Sequence, residues 1–280
     1  VAAIISHLYR FDYWFVESVP FSLRCDTIAI IGGESHKRLT QYSKFTLIRA
    51  VCSDQETPMP ILYIHLLGDF HLLYGDQPVT GLNQPRLQSL LAYLLLHRHV
   101  PQSRRQLAFL FWPDTTDKQA QTNLRQLVYH LRHYLPQVDH YVSIDHATLQ
   151  WRHDAPFTLD VAAFQTLCTQ TEPAIGQATL ARLEKAVALY AGELLPGCYD
   201  DWILPERERL RQQFAQAMER LIGELEDQRA YGAAIPHALR LLHHDPLHEA
   251  SYRRLMQLHG LVGERAAALR VYHTCATTLL

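Results

Sequence analysis

The stretch that decides the fold is DKQAQTNLRQLVYHLRHYL, residues 117–135. Its apolar residues recur at helical spacing: Leu124, Leu127, Val128, Leu131 and Leu135. This period predicts a long amphipathic helix with one buried face. The opposite face carries arginine, glutamine, asparagine and histidine, and no acidic residue occurs between Lys118 and Gln137.

The segments on either side complete a recognisable order of elements. Upstream, ILYIHLLGDFHLLYGDQPVTGL (residues 61–82) predicts short strands separated by Gly-Asp turns. Two amphipathic helices are predicted next, over Gln84–His97 and Arg104–Phe111, the second after a Ser103 N-cap. Downstream, YVSIDHATLQW (residues 141–151) alternates around a turn and predicts a hairpin. Strands, three helices and a hairpin make up a winged helix-turn-helix, which we assign to residues 60–152.

The rest of the chain predicts helices almost throughout. A shift of 34 residues aligns Leu221 with Leu255, and the small residues at 233–234 with those at 267–268. That period is typical of tetratricopeptide helix pairs. We therefore predict a mainly α protein, in which the α+β winged helix is followed by an all-α tetratricopeptide-like domain over residues 158–280. The final helix is expected to continue at Leu280, so this domain is expected to be incomplete.

Residues 1–59 contain apolar runs without a sustained period, and we leave them unassigned as an extension expected to be poorly ordered. Composition excludes little, since 48% hydrophobic and 19% charged residues are ordinary for a globular protein. The charge distribution says more. Residues 60–152 carry eight Lys/Arg against six Asp/Glu, whereas residues 153–280 carry twelve against sixteen. A basic middle segment is consistent with a nucleic-acid partner.

Five segments of this chain resemble a known family. LLGDFHLLYGDQPV, Trp112-Pro113 and NLRQLVYHLRHYL resemble the OmpR-like winged helix of SARP-type transcriptional activators. ELLPGCYDDWILPERERLR and LHHDPLHEASYRRLMQLHGLVGERAAALRVY resemble the bacterial transcriptional activator domain that follows it in that family. The resemblance implies an activator that binds double-stranded promoter DNA as a dimer and contacts RNA polymerase. The helical domain is then expected to serve for dimerisation and for contact with the transcription machinery.

On this interpretation the helix over residues 117–135 enters the major groove. Arginine, asparagine and glutamine can make bidentate contacts with base edges, while lysine, threonine and tyrosine mainly contact phosphates. The candidate DNA-binding residues on this helix are Lys118, Gln121, Thr122, Asn123, Arg125, Gln126, Tyr129, His130, Arg132 and His133. Secondary candidates on the preceding helix and the hairpin are Arg104, Arg105, His146, Thr148 and Arg152. We expect Arg125 and Gln126 to contact bases and Arg132 to contact a phosphate.

Other functions have less support in the sequence. The histidine pairs lack a nearby cysteine or glutamate at ligand spacing, so no metal site is predicted. No hydrolase or nucleotide-binding motif occurs, so we predict neither an enzyme nor a cofactor. With no secretory signal or bilayer-length apolar span, a cytoplasmic location is expected. The competing hypothesis is a protein-interaction scaffold, in which the repeats bind partner segments and the winged helix contacts protein instead of DNA.

Overall fold

Two small sheets and three principal helices form the first part of the chain. The computed structural model describes residues 60–170 and 177–279, so the expectation for residues 1–59 lies outside the described residues. In chain order the elements are β1 (Leu62–His65), β2 (His71–Tyr74), β3 (Gln77–Pro78), α1 (Pro85–Leu96), β4 (Gln102–Ser103), α2 (Arg104–Phe111), α3 (Asp117–Tyr134), α4 (Val138–Tyr141), β5 (Val142–Ile144), β6 (Thr148–Trp151) and β7 (Phe157–Leu159).

The strands are arranged as a winged helix-turn-helix requires. The first sheet has the order β3-β2-β1-β7, with β1 antiparallel to β2 and parallel to β7. The second has the order β4-β6-β5, in which β5 and β6 form the predicted hairpin. The strand β4 pairs Gln102 with Leu149 and Ser103 with Thr148, so the start of α2 is fixed beside the hairpin. The predicted fold class is confirmed for this part.

The helix α3 follows its predicted pattern closely. Its apolar stripe is buried at Leu124, Leu127, Val128 and Leu131, and the side chain of Thr116 accepts a hydrogen bond from the Gln119 backbone N–H as an N-cap. Its C-terminal end is packed tightly, because a Cβ added to Gly81 would lie 2.1 Å from Cδ1 of Tyr134. The third helix is therefore held at both ends with its polar face outward.

The second part of the chain consists of stacked helices. They are α5 (Asp160–Thr169), α6 (Gln177–Leu189), a short 3-10 helix (Asp201–Ile203), α7 (Leu204–Asp227), α8 (Tyr231–His244), α9 (Glu249–Val262) and α10 (Arg265–Leu279). Along the chain, α7 packs against α8, α8 against α9, and α9 against α10. Leu221 and Leu255, 34 residues apart, are both completely buried, as the repeat predicts. Residues 158 and 159, expected in the helical part, instead lie in a strand of the first sheet.

A buried carboxylate joins the two parts. Immediately after β7, Oδ2 of Asp160 accepts hydrogen bonds from the backbone N–H groups of Leu66 and Leu67, both at 2.8 Å, and Oδ1 accepts from Val161 N–H at 2.7 Å. Asp160 is only 5% exposed. Burial raises the pKa of its carboxyl, and the three N–H donors act in the opposite direction. These bonds tie the end of β1 to the first turn of α5.

The loop between α6 and the 3-10 helix makes the second connection. Gly68 N–H donates to Glu193 O at 2.9 Å, and Leu195 N–H donates to Leu66 O at 2.9 Å. Gly68 has φ +85°, a value that favours glycine. A Cβ added to Gly192 would lie 3.1 Å from the Cα of Gly68, so the two backbones approach closely. The guanidinium of Arg207, in α7, donates to three backbone carbonyl groups of this loop, and these bonds fix the shape of the loop.

Polar and aromatic contacts extend this connection to α1. The carboxylate of Asp200 accepts hydrogen bonds from Arg86 and, at 2.8 Å, from the hydroxyl of Ser89. Trp202 packs edge-on against Tyr93, with ring centroids 5.1 Å apart. The described residues from 60 onward accordingly belong to one compact unit, in which the helical domain contacts the end of β1 and the helix α1.

Candidate nucleic-acid interface

The exposed side of α3 carries the predicted site residues. Lys118, Gln121, Arg125, Gln126, Tyr129, Arg132 and His133 are exposed, whereas Thr122, Asn123 and His130 are partly buried. Tyr129 is 66% exposed, which is unusual for a large aromatic side chain. A face with these residue types and without carboxylates can contact both base edges and phosphates.

The start of α2 and the turn of the hairpin lie beside this helix. Nη1 of Arg104, the first residue of α2, donates to Asp145 O at 3.2 Å, and its backbone N–H donates to Ala147 O at 2.9 Å. His146 lies between these two acceptors, at the exposed end of the hairpin. The turn is closed by a hydrogen bond from the Thr148 hydroxyl to the Asp145 carboxylate at 3.4 Å, so Thr148 is engaged within the hairpin.

Two clefts open at the place where α2, α3 and the hairpin meet. A cleft of about 310 Å³ is lined by residues that include Arg104, Arg125, Arg132 and His146. A second, of about 600 Å³, shares Arg104, Arg125 and His146 with it. We use the name basic corner for four residues of the smaller cleft, Arg104, Arg125, Arg132 and His146. Partial burial of Arg104 lowers the pKa of its guanidinium, and the positive charges of Arg125 and Arg132 lower it further.

Not all of the predicted residues converge on this surface. Asn123 and His130 lie two residues before Arg125 and Arg132, which places them on roughly the opposite flank of α3. Asn123 accepts a hydrogen bond from the Gln119 amide at 2.8 Å, and His130 stacks on Tyr134. The structure therefore divides the predicted residues of α3 between two flanks.

Two arginines among the secondary candidates have distinct surroundings. Arg152 lies at the base of the hairpin, where its backbone N–H donates to Tyr141 O, four residues from the turn that contains His146. Arg105 is exposed beside the basic corner and forms an ion pair with Asp117, with 3.7 Å between Nη2 and Oδ2. Exposed pairs of this kind contribute little to stability, so the side chain of Arg105 is available to a ligand.

Sequence reasoning missed the residues that position this surface. Asp160 and Asp200 connect the two parts of the chain through buried or partly buried hydrogen bonds, and Arg207 holds the loop that makes the second connection. Asp160 gave a local signal, since an aspartate before the apolar run VAAF is a common helix start. Asp200 and Arg207 gave none, because their partners lie in loops or in an earlier helix of the chain.

Among residues 60–170 and 177–279, none of the helices combines the length and hydropathy needed to cross a bilayer.

The comparisons with known proteins agree with this architecture. A family model described as the bacterial transcriptional activator domain matches residues 159–280. Among solved structures, the chain is similar to Mycobacterium tuberculosis EmbR in complex with a low affinity phosphopeptide, with a TM-score of 0.58 and 18% identity. That match covers 79% of this chain and 60% of the EmbR chain. No curated protein matches.

Two independent observations therefore support the resemblance seen in the sequence. The family model places residues 159–280 in a domain of transcriptional regulators and points away from an enzyme. The structural match extends over most of the chain and shows its fold. Residues 159–280 match the family model of the bacterial transcriptional activator domain, and the chain, which carries this match behind a winged helix, has the SARP-type arrangement of domains that its sequence resembles.

Proposed function

We propose that this chain is a sequence-specific DNA-binding transcriptional regulator that activates transcription from promoters. We also propose that it acts in the cytoplasm. Residues 60–152 would form the DNA-binding domain and residues 158–280 the activator domain. The observation that carries the proposal is the continuous basic surface formed by α3, the start of α2 and the hairpin turn. The helices α2 and α3 contribute arginines to it, the hairpin turn contributes His146, and α3 contributes no carboxylate after Asp117.

The shape of this surface supports a particular mode of binding. An α-helix fits the major groove, and α3 presents its polar face away from the core along its whole length. Gln126 lies near the centre of that face, where it would contact a base edge. The hairpin extends beside α3, so His146 would lie over the adjacent backbone or minor groove.

The helical domain is proposed to contact protein partners. Leu269 and Tyr272 on α10 are 61% and 57% exposed, and no residue of the described part of α10 is fully buried. An apolar helical surface of this kind can pack against a second copy of the chain or against RNA polymerase. Sedimentation velocity of the parent and of Leu269→Glu would test the homodimer. Equal sedimentation coefficients at all concentrations would exclude it for this surface.

DNA binding can be tested directly by fluorescence anisotropy with labelled genomic fragments at two salt concentrations. The parent is expected to bind, and the logarithm of its association constant should fall linearly with the logarithm of the salt concentration. The slope should be about −0.9 for each phosphate contacted. In vitro selection from random duplexes would then define the operator. Absence of binding at low salt would refute the proposal. It would favour the scaffold hypothesis, for which a cleft lined by the exposed Phe109 and the partly buried Trp112 offers a contact surface.

A further inference from the structure

The basic corner is an unusual concentration of positive charge. Arg104 comes from α2, Arg125 and Arg132 are seven residues apart on one side of α3, and His146 comes from the hairpin turn. All four line a single cleft of about 310 Å³. Seven residues are close to two helical turns, so the two arginines of α3 point the same way.

The cleft holds three guanidinium groups and one carboxylate, so positive charge is in excess there. Among the described residues, none of the three arginines forms an ion pair with a carboxylate. Arg104 and Arg125 donate instead to the backbone carbonyl groups of Asp145 and Gln121. The acidic side chain that lines the cleft belongs to Asp145, whose carboxylate accepts the Thr148 hydroxyl. Arginine does not lose its proton in proteins, so the fold holds three positive charges together against their repulsion.

A tetrahedral oxyanion is the ligand that such a site fits. Guanidinium groups bind phosphate through paired N–H···O bonds, and donors from three directions can surround a single phosphate. The corner also lies on the flank of α3 next to α2 and the hairpin, whereas the centre of the outward face belongs to Thr122, Gln126 and His133. A base edge would face that centre, and a phosphate of the adjacent backbone would face the flank.

We propose that the basic corner is a binding site for one backbone phosphate of duplex DNA, held jointly by Arg104, Arg125 and Arg132 with His146 at its edge. This inference rests on the proposed DNA-binding function and refines it. It gives Arg125, which the sequence assigned to a base, a role in fixing the register of the domain on the duplex. Phosphate contacts set position and orientation and carry no sequence information directly.

The first test measures DNA affinity as a function of salt for the full chain. Arg104→Gln, Arg125→Gln and Arg132→Gln are each expected to weaken binding roughly tenfold and to the same extent on all duplexes. Because the three side chains share one phosphate, the triple variant Arg104→Gln/Arg125→Gln/Arg132→Gln should lower the salt slope by about one unit in total. Three separate phosphate contacts would lower it by about three, and that result would overturn the shared site. A changed base preference for Arg125→Gln would do the same.

The matched control is Arg105→Gln, which removes the neighbouring arginine on α2. Arg105 lines the cleft of about 600 Å³ but not the cleft of about 310 Å³ that contains Arg132. The control substitution should weaken binding less than Arg104→Gln does. Equal losses would mean that the surface acts only through its total charge, which would overturn the inference.

A second test needs no DNA and separates the two proposals. Inorganic phosphate, compared with chloride at equal ionic strength, should raise the melting temperature of the parent but not that of Arg104→Gln. If the parent binds DNA and phosphate has no such effect, the phosphate site is refuted while the proposed function stands. If the parent binds no DNA, the proposed function is refuted, and so is the proposal that the basic corner binds a phosphate of duplex DNA.

Discussion

One carboxylate contributes two hydrogen bonds to the connection between the two parts of the chain, and Asp160→Ala removes it. The substitution leaves the backbone N–H groups of Leu66 and Leu67 buried without their acceptor, since both donate to Oδ2 at 2.8 Å. A buried donor that loses its partner costs about 1–3 kcal/mol, so two cost about 2–6 kcal/mol. The third donor, Val161 N–H, lies in the first turn of α5 and adds to the loss.

A loss of this size is a large part of the total stability of an ordinary domain, which is about 5–15 kcal/mol. For a unit of this length the melting temperature falls by roughly 2–4 °C for each kcal/mol, so we expect a decrease on the order of 10 °C. Asp160→Asn should lose less, because it keeps one acceptor oxygen. The raised pKa of the Asp160 carboxyl also means that its buried surroundings favour an uncharged group over a charged one more than water does.

Differential scanning calorimetry and urea unfolding of the full chain would measure these changes. Asp154→Ala is the matched control, since Asp154 is exposed and lies six residues earlier in the same connecting segment. We expect the control to melt within about 1 °C of the parent, as is usual for exposed substitutions. The reasoning is refuted if Asp160→Ala melts at the same temperature as Asp154→Ala.

Three further predictions concern single side chains elsewhere in the described residues. Ala234 is completely buried and Ala268 only partly, so Ala234→Leu should destabilise the chain by about 1–3 kcal/mol in urea unfolding and Ala268→Leu by clearly less; equal effects would contradict the packing of α8. Burial raises the pKa of the Cys168 thiol from 9.0 to about 11. Iodoacetamide should therefore alkylate Cys168 at pH 8 up to about a hundredfold more slowly in the folded chain than in urea, as followed by mass spectrometry; similar rates would show that this thiol is not held in the core. Gln126→Ala should weaken binding to the selected operator by roughly 1–3 kcal/mol and relax preference at one base pair, while unchanged selectivity would exclude Gln126 as a base contact.

The local elements could be predicted from the sequence because their signals are short-range. The stripe of α3 gave its start at Asp117 and an end within one residue of Tyr134, where the helix stops. The 34-residue repeat placed Leu221 and Leu255 in equivalent buried positions. Both patterns express the period of a helix with one buried face, which a few consecutive residues reveal.

The grouping of the candidate site residues could be predicted only in part. That α3 and the hairpin belong to one surface followed from the order of elements. That Arg104, Arg125 and His146 share a cleft while Asn123 and Arg152 lie elsewhere did not follow. Residue type and local period give the side of a helix, but the flank that faces a neighbour depends on how three elements pack together.

By itself, the sequence determined which segments are helices and strands, the order that defines a winged helix followed by helical repeats, and the acid-free composition of α3. Only the tertiary structure decided that β7 pairs with β1 and that Asp160 binds the backbone at Leu66 and Leu67, more than 90 residues earlier. Such contacts join segments that are far apart in the chain and have no periodic signature. They form because buried N–H and carboxylate groups must find partners once the two parts pack together.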